Sequence, residues 1–259
     1  MKKLTTLTLA ALTLAAGFAQ AADLAGSVQV STAYATLNNG YPSAKIQAMD
    51  VLFDVTKDTK VGVALSNIEA WGARATFVGL RGVHDINEDF FVTANIGASD
   101  TGKIAVERRA GAMLNMKTLP ANNLLVGAGV DYYTMREGGS VTSVQSQLVY
   151  YVPGVPLVLQ GNAALTRSNA SGREGASAGI GATYGRVGAW TASARFDSGR
   201  VNYELLAFPA AIADYRSRTI SASGRYWVAP SWGLSVNLSR VDNRYYARNE
   251  ARVGGFWAF

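Results

Sequence analysis

Residues 251–259 read Ala-Arg-Val-Gly-Gly-Phe-Trp-Ala-Phe. Taken in steps of two, Phe259, Trp257, Gly255, Val253 and Ala251 form an apolar or small face, while Ala258, Phe256, Gly254 and Arg252 form the other. Successive side chains of a strand point to opposite sides, so this pattern marks a β-strand with one apolar side and one mixed side. The same period recurs upstream. Leu157, Leu159, Gly161, Ala163 and Leu165 oppose Gln160 and Asn162. Leu124, Val126, Ala128, Val130 and Tyr132 oppose Gly127, Gly129 and Asp131. Trp232, Leu234, Val236 and Leu238 oppose Ser235, Asn237 and Ser239, and Val144, Leu148 and Tyr150 oppose Ser143, Gln145 and Gln147. No amphipathic stretch of helical period lasts three turns.

Strands of about ten residues, apolar on one face and polar on the other, are what a bilayer-spanning barrel requires. The membrane core holds no water, so backbone groups must pair between strands and the sheet must close. The reading is an all-β fold, a transmembrane antiparallel up-and-down β-barrel. Short turns are predicted near 57, 84–89, 119–123, 153–156, 185–188 and 229–231. Longer polar connections fall at 38–43, 98–103, 136–139, 168–175 and 241–249, with less distinct ones near 67–72 and 207–217. They delimit about fourteen strands, with 12–16 open. The segment 188–206 is long for one strand: its alternation through Trp190, Ala192, Ala194 and Phe196 restarts at Val201, which predicts a bulge or turn around Asp197–Arg200. Tyr150, Tyr151, Tyr184, Trp190, Tyr226, Trp227, Trp232 and Trp257 cluster beside the short turns, where an interfacial aromatic girdle sits.

The start of the chain predicts export. Lys2 and Lys3 precede an apolar run from Leu4 to Phe18, and Ala19-Gln20-Ala21 offers a cleavage site before Ala22. Residues 1–21 are therefore expected to be a cleaved signal peptide of the general secretion pathway, and 22–259 a single barrel domain. The run is shorter than the ~20 residues a spanning helix needs. The chain has no cysteine, which excludes a lipid-anchored lipoprotein, a disulfide framework and a thiolate metal site. Taking Lys2 and Lys3 from the 24 basic residues leaves 22 against 18 acidic ones, a modest surplus carried mostly by arginine. Nucleic acid is not an expected partner of an exported barrel.

Catalysis finds little support in the residue inventory. The single histidine, His84, is followed by Asp85 in a predicted short turn, and no second histidine exists to build a metal site or a catalytic constellation. No enzyme activity, metal or cofactor is expected. What the pattern does supply is an interior. Counting inward from the alternation, the lumen is expected to hold Asp50, Asp54, Arg109, Asn115, Asp131, Gln145, Gln147, Gln160, Asn162, Arg225, Asn237 and Ser239. Both signs of charge occur, so no strong ion selection is predicted. Barrels of eight strands are filled by side chains and those of sixteen to eighteen enclose water. About fourteen strands leave two readings open, a narrow passive channel for small polar solutes and a non-conducting structural barrel of the envelope.

The alternating tail with its final aromatic resembles the recognition strand of bacterial outer-membrane barrels. GIGATYGR at 179–186, ADYRSR at 213–218, RYWVAPSWGLSVN at 225–237 and the closing GGFWAF resemble the YaiO-type outer-membrane barrel family, over roughly residues 70–259. This resemblance implies a Gram-negative outer-membrane location. It also implies insertion by the barrel-assembly machinery, with Trp257 and Phe259 as the assembly signal, and an alternative role as an accessory barrel in exopolysaccharide export. In that membrane Arg136, Arg167, Arg173, Arg216, Arg218, Arg244 and Arg248, all in or beside predicted outer loops, are expected to contact lipopolysaccharide phosphates.

Overall fold

The computed structural model describes residues 25–70, 72–100, 106–118, 122–135, 139–169, 172–201 and 215–259. The expected signal, residues 1–21, lies outside them. Among the described residues there are fourteen strands: β1 (Gly26–Leu37), β2 (Ala44–Thr56), β3 (Thr59–Ala70), β4 (Ala73–Asp85), β5 (Phe90–Ser99), β6 (Arg108–Thr118), β7 (Leu124–Thr134), β8 (Ser140–Tyr151), β9 (Leu157–Ser168), β10 (Glu174–Arg186), β11 (Trp190–Val201), β12 (Tyr215–Ala229), β13 (Trp232–Asn243) and β14 (Ala247–Ala258). Each pairs with its sequence neighbours, and β14 pairs antiparallel with β1, so the sheet closes into an up-and-down barrel. At this seam Val28 lies opposite Trp257 and Val30 opposite Gly255. The Gly26 N–H donates to the Phe259 carbonyl at 2.8 Å, and the Phe259 N–H donates back to Gly26 at 3.0 Å. Closure leaves no unpaired edge in the membrane.

One end of the barrel carries both ends of the sheet and the connections 57–58, 86–89, 119–123, 152–156, 187–189 and 230–231; we call it the turn end. The other, the loop end, carries 38–43, 71–72, 100–107, 135–139, 169–173, 202–214 and 244–246. At the turn end the β10–β11 hairpin bends at Gly188, whose φ of 88° is a conformation that a side chain disfavours.

The barrel is apolar outside. Ile180, Leu165 and Ile220 are 68%, 66% and 62% exposed, and they share the outward register with Val130, Leu238 and Val253. The opposite parity carries the ions and amides. In water this arrangement would be costly; against lipid it is the favourable one.

Three details depart from expectation. β11 pairs without interruption from Trp190 to Val201 along β12, and equally along β10 from Trp190 to Gly199, so no bulge or turn interrupts Asp197–Arg200. The polar residues there are a strand's own: Asp197 turns inward onto Arg195, while Ser198 and Arg200 face out on alternate positions. The register shifts fall instead at the turn end, at Asp54/Thr56 and Trp227/Ala229. His84 and Asp85 belong to β4 and not to the turn, which Asn87 builds by accepting hydrogen bonds from the Asp89 and Phe90 N–H groups. Trp227 and Tyr151 have the inward parity and so are not part of an outer girdle; Trp227 packs edge-on against Phe256 at 5.0 Å.

Candidate functional site

The inner wall is identified by contacts that skip a strand. Arg81 on β4 reaches Asp50 on β2 at 3.8 Å, and Lys117 on β6 reaches Asp85 on β4 at 3.6 Å. Gln147 on β8 donates to Asn115 on β6 at 2.6 Å, and Arg195 on β11 donates to Asn162 on β9. Neighbouring strands lie about 4.8 Å apart, so side chains two strands apart meet only on the concave side, where they converge. Glycine in the intervening strand makes the meeting possible. Asn115, Gly127 and Gln147 are in register across β6, β7 and β8, and a Cβ on Gly127 would lie 2.9 Å from Gln147 Cγ. Asn162, Gly179 and Asp197 are in register across β9, β10 and β11, and a Cβ on Gly179 would collide with both outer residues.

Each inward carboxylate has a cation. Lys60 meets Asp54 at 2.6 Å. Arg109 grips Asp131 with both arms, Nε at 3.1 Å and Nη2 at 2.6 Å. Arg195 holds Asp197 the same way, at 2.7 and 2.6 Å. Glu250 is shared between Arg248 and Arg252 on its own strand. Arg225 differs: it donates to the Gln29 amide oxygen at 2.7 Å and lies 5.3 Å from the Phe256 ring centre. The wall from β12 through β14 to β1 therefore carries surplus positive charge, while the wall from β2 to β7 pairs its ions one to one.

Water reaches these groups unevenly. Arg81 and Asp50 keep 47% and 41% of their side-chain surface, and Lys60 keeps 48%. The inner residues of the loop end are buried: Ala35, Ala44, Ala70 and Ala75 pack as one cluster, and Val141 and Ser168 are 0% exposed. Tyrosines gather at this mouth. Tyr41 meets Tyr246 edge-on at 5.8 Å, and Tyr215 meets Tyr245 at 5.3 Å. Asparagines pin the loops that carry them. Asn39 donates to the Tyr245 carbonyl at 2.6 Å, Asn38 accepts from the Ala247 N–H at 2.7 Å, and Asn243 accepts from the N–H groups of Tyr245 and Tyr246.

By register, Asp50, Asp54, Arg109, Asn115, Asp131, Gln145, Gln147, Gln160, Asn162, Arg225, Asn237 and Ser239 all lie on the inner side. Sequence reading missed Arg81, Arg195, Asp197, Glu250 and Arg252. Their alternation with Leu80, Phe196 and Val253 carried the signal. Of the arginines expected to meet lipopolysaccharide, Arg167, Arg216 and Arg218 are exposed on outward positions, and Arg173 and Arg244 are exposed in loops. Arg248 faces inward onto Glu250, because its strand begins one residue earlier and fixes its parity. Arg136 lies outside the described residues. Among the described residues no group of three His, Asp or Glu side chains could hold a metal ion.

Solved structures share this architecture at low sequence identity. The chain is similar to the CymD monoaromatic hydrocarbon channel (TM-score 0.57, 10% identity, covering 91% of this chain and 88% of that one). It is similar to a bacterial polysaccharide outer membrane secretin (0.60, 8%, 90% and 98%) and to the Acinetobacter baumannii outer membrane protein Omp33 (0.54, 10%, 91% and 99%). At such identities the likeness is one of fold, that of bacterial outer-membrane barrels. No protein of curated function matches the chain by sequence. A family model described as the YaiO membrane beta barrel domain matches residues 25–204, which includes 179–186 but none of the three later motifs. With a match spanning more than half of its length, the chain belongs to the YaiO membrane β-barrel family.

Proposed function

We propose that the chain is a narrow passive channel for small polar solutes in the bacterial outer membrane, with its loop end facing outward. The observation that carries this reading is the exposure of Asp50 and Arg81, ions midway along the inner wall of a closed barrel that keep 41% and 47% of their side-chain surface accessible. A lumen plugged by side chains would bury them. Ion pairs around most of the wall make it polar without a strong field, so solutes are sorted by size more than by charge. The surplus positive charge at Arg225 and at the Arg248–Glu250–Arg252 cluster gives anions a slight advantage.

The second reading, a non-conducting structural barrel, draws on the buried mouth at Ala35, Val141 and Ser168. Conductance of purified protein in planar bilayers separates the two. A channel gives small steady steps that grow when Tyr41 and Tyr246 are replaced by alanine. Silence in both proteins favours the structural barrel.

We also propose two partners. Outward arginines at the loop end contact lipopolysaccharide, and the barrel-assembly machinery reads the last strand through Trp257 and Phe259. Extended segments are typically read by strand addition, in which alternate side chains supply specificity.

A further inference from the structure

We infer that the outer face of β12, β13, β14 and β1, at the loop end, is a binding site for one phosphorylated, multiply acylated glycolipid of the lipopolysaccharide class. The register arranges this face in tiers. Arg218 lies opposite Asp242, with Arg216 two residues nearer the rim. The next tier is Ile220, Arg240, Asn249 and Thr36, and below it come Ala222, Leu238, Ala251 and Tyr34. The lower two tiers line a depression of about 470 Å³. It is hollow because alanines on β12 and β14 flank Leu238.

Descending from the rim, the surface therefore offers cations, then hydrogen-bonding groups, then a concave apolar floor. A phosphorylated glycolipid presents phosphate, sugar hydroxyls and acyl chains in the same order. Asp242 does not neutralise the cations, because both of its oxygens are held by Arg240, at 2.7 and 2.9 Å. Among the described residues Arg216 and Arg218 have no carboxylate partner. Guanidinium groups suit a phosphate because they bind it through two donors at once.

The inference rests on the outer-membrane placement proposed above and not on conduction. The test uses the full barrel in detergent, checked for folding by its gel mobility with and without boiling, and titrated with bisphosphorylated lipid A. Binding is read by native mass spectrometry and by the shift in melting temperature. We expect one tightly bound lipid A, with no shift from inorganic phosphate. Dephosphorylated lipid A and phosphatidylglycerol should bind more weakly. R216Q/R218Q should weaken binding about tenfold or more, the loss expected on removing charge-assisted hydrogen bonds. A251W, which fills the depression and leaves every arginine in place, should weaken it comparably. R74Q, at an outward cation on β4, should change nothing.

Equal loss in R74Q, or equal shifts from phosphatidylglycerol, would mean diffuse charge attraction and overturn the site. Full binding by A251W would overturn the acyl floor and with it the inference. A barrel that binds lipid A but is silent in bilayers defeats the channel reading alone, and one that conducts but binds no lipid A defeats this inference alone.

Discussion

On β1 to β4 the two ends of the lumen wall are built on opposite principles. At the loop end the inner wall is small and dry: alanines from β1 to β4 close on one another, and tyrosines meet in pairs at the same mouth. Toward the middle and the turn end the wall is charged and wet, and its side chains meet across glycines. Both regions come from the same alternating strands. What differs is the inward residue, a methyl group at one end and a long ionised chain at the other. A barrel of this size can thus be packed and hydrated along one axis, and its width alone does not decide whether it conducts.

Putting the same charge at the dry mouth and in the middle of the wall tests this contrast most severely. Ala35→Asp buries a carboxylate where 1% of the residue is exposed, and should cost about 3–5 kcal/mol or abolish folding. Ala164→Asp, also inward but among Gln145 and Ser177, should cost less than about 1 kcal/mol because water can solvate it. Denaturant midpoints of refolded protein check both, and equal losses would break the distinction.

Next comes the Arg109–Asp131 pair, which is asymmetric: Asp131 keeps 8% of its side-chain surface and Arg109 46%. Arg109→Leu strands a buried carboxylate and should cost about 2–3 kcal/mol, whereas Asp131→Asn leaves a cation that water can reach and should cost about 1 kcal/mol. The reverse order would mean that Asp131 has solvent access after all.

Much of the architecture was legible because alternation encodes it directly. Strand number and the inward parity of the set from Asp50 to Ser239 follow from period two. The misreadings came where parity had to be carried through a polar run. Asp197–Arg200 resembles a turn in composition, yet its four residues alternate in and out like any others. Arg248 looked like a loop arginine until its strand was seen to begin at Ala247. The mouth could not be read at all, since Tyr41, Tyr215, Tyr245 and Tyr246 are far apart in the chain and meet only through closure. Nor could the glycine bridges: Gly127 and Gly179 gain meaning only beside the strands they separate.

Charge along the wall gives a milder test. Arg225→Glu should move the reversal potential in a salt gradient toward cations without altering the melting temperature appreciably, since Arg225 has no carboxylate partner among the described residues. An unchanged potential would place the ion path away from β12. The smallest effect belongs to Lys60→Gln. That exposed pair at the turn end should contribute less than about 0.5 kcal/mol, and a larger loss would show the turn end to be drier than its exposure indicates.

The reciprocal hydrogen bonds between Gly26 and Phe259 make the barrel topologically a ring whose cut lies at an arbitrary hairpin. Joining these residues through a short flexible linker and opening the chain within 202–214 should give a circularly permuted barrel with the same strand neighbours. In such a molecule Phe259 is followed by the linker, although its place in the sheet is unchanged. If cells insert the permuted chain poorly while it refolds normally in detergent, the aromatic is read as a terminus; if insertion is normal, it is read only as part of a strand.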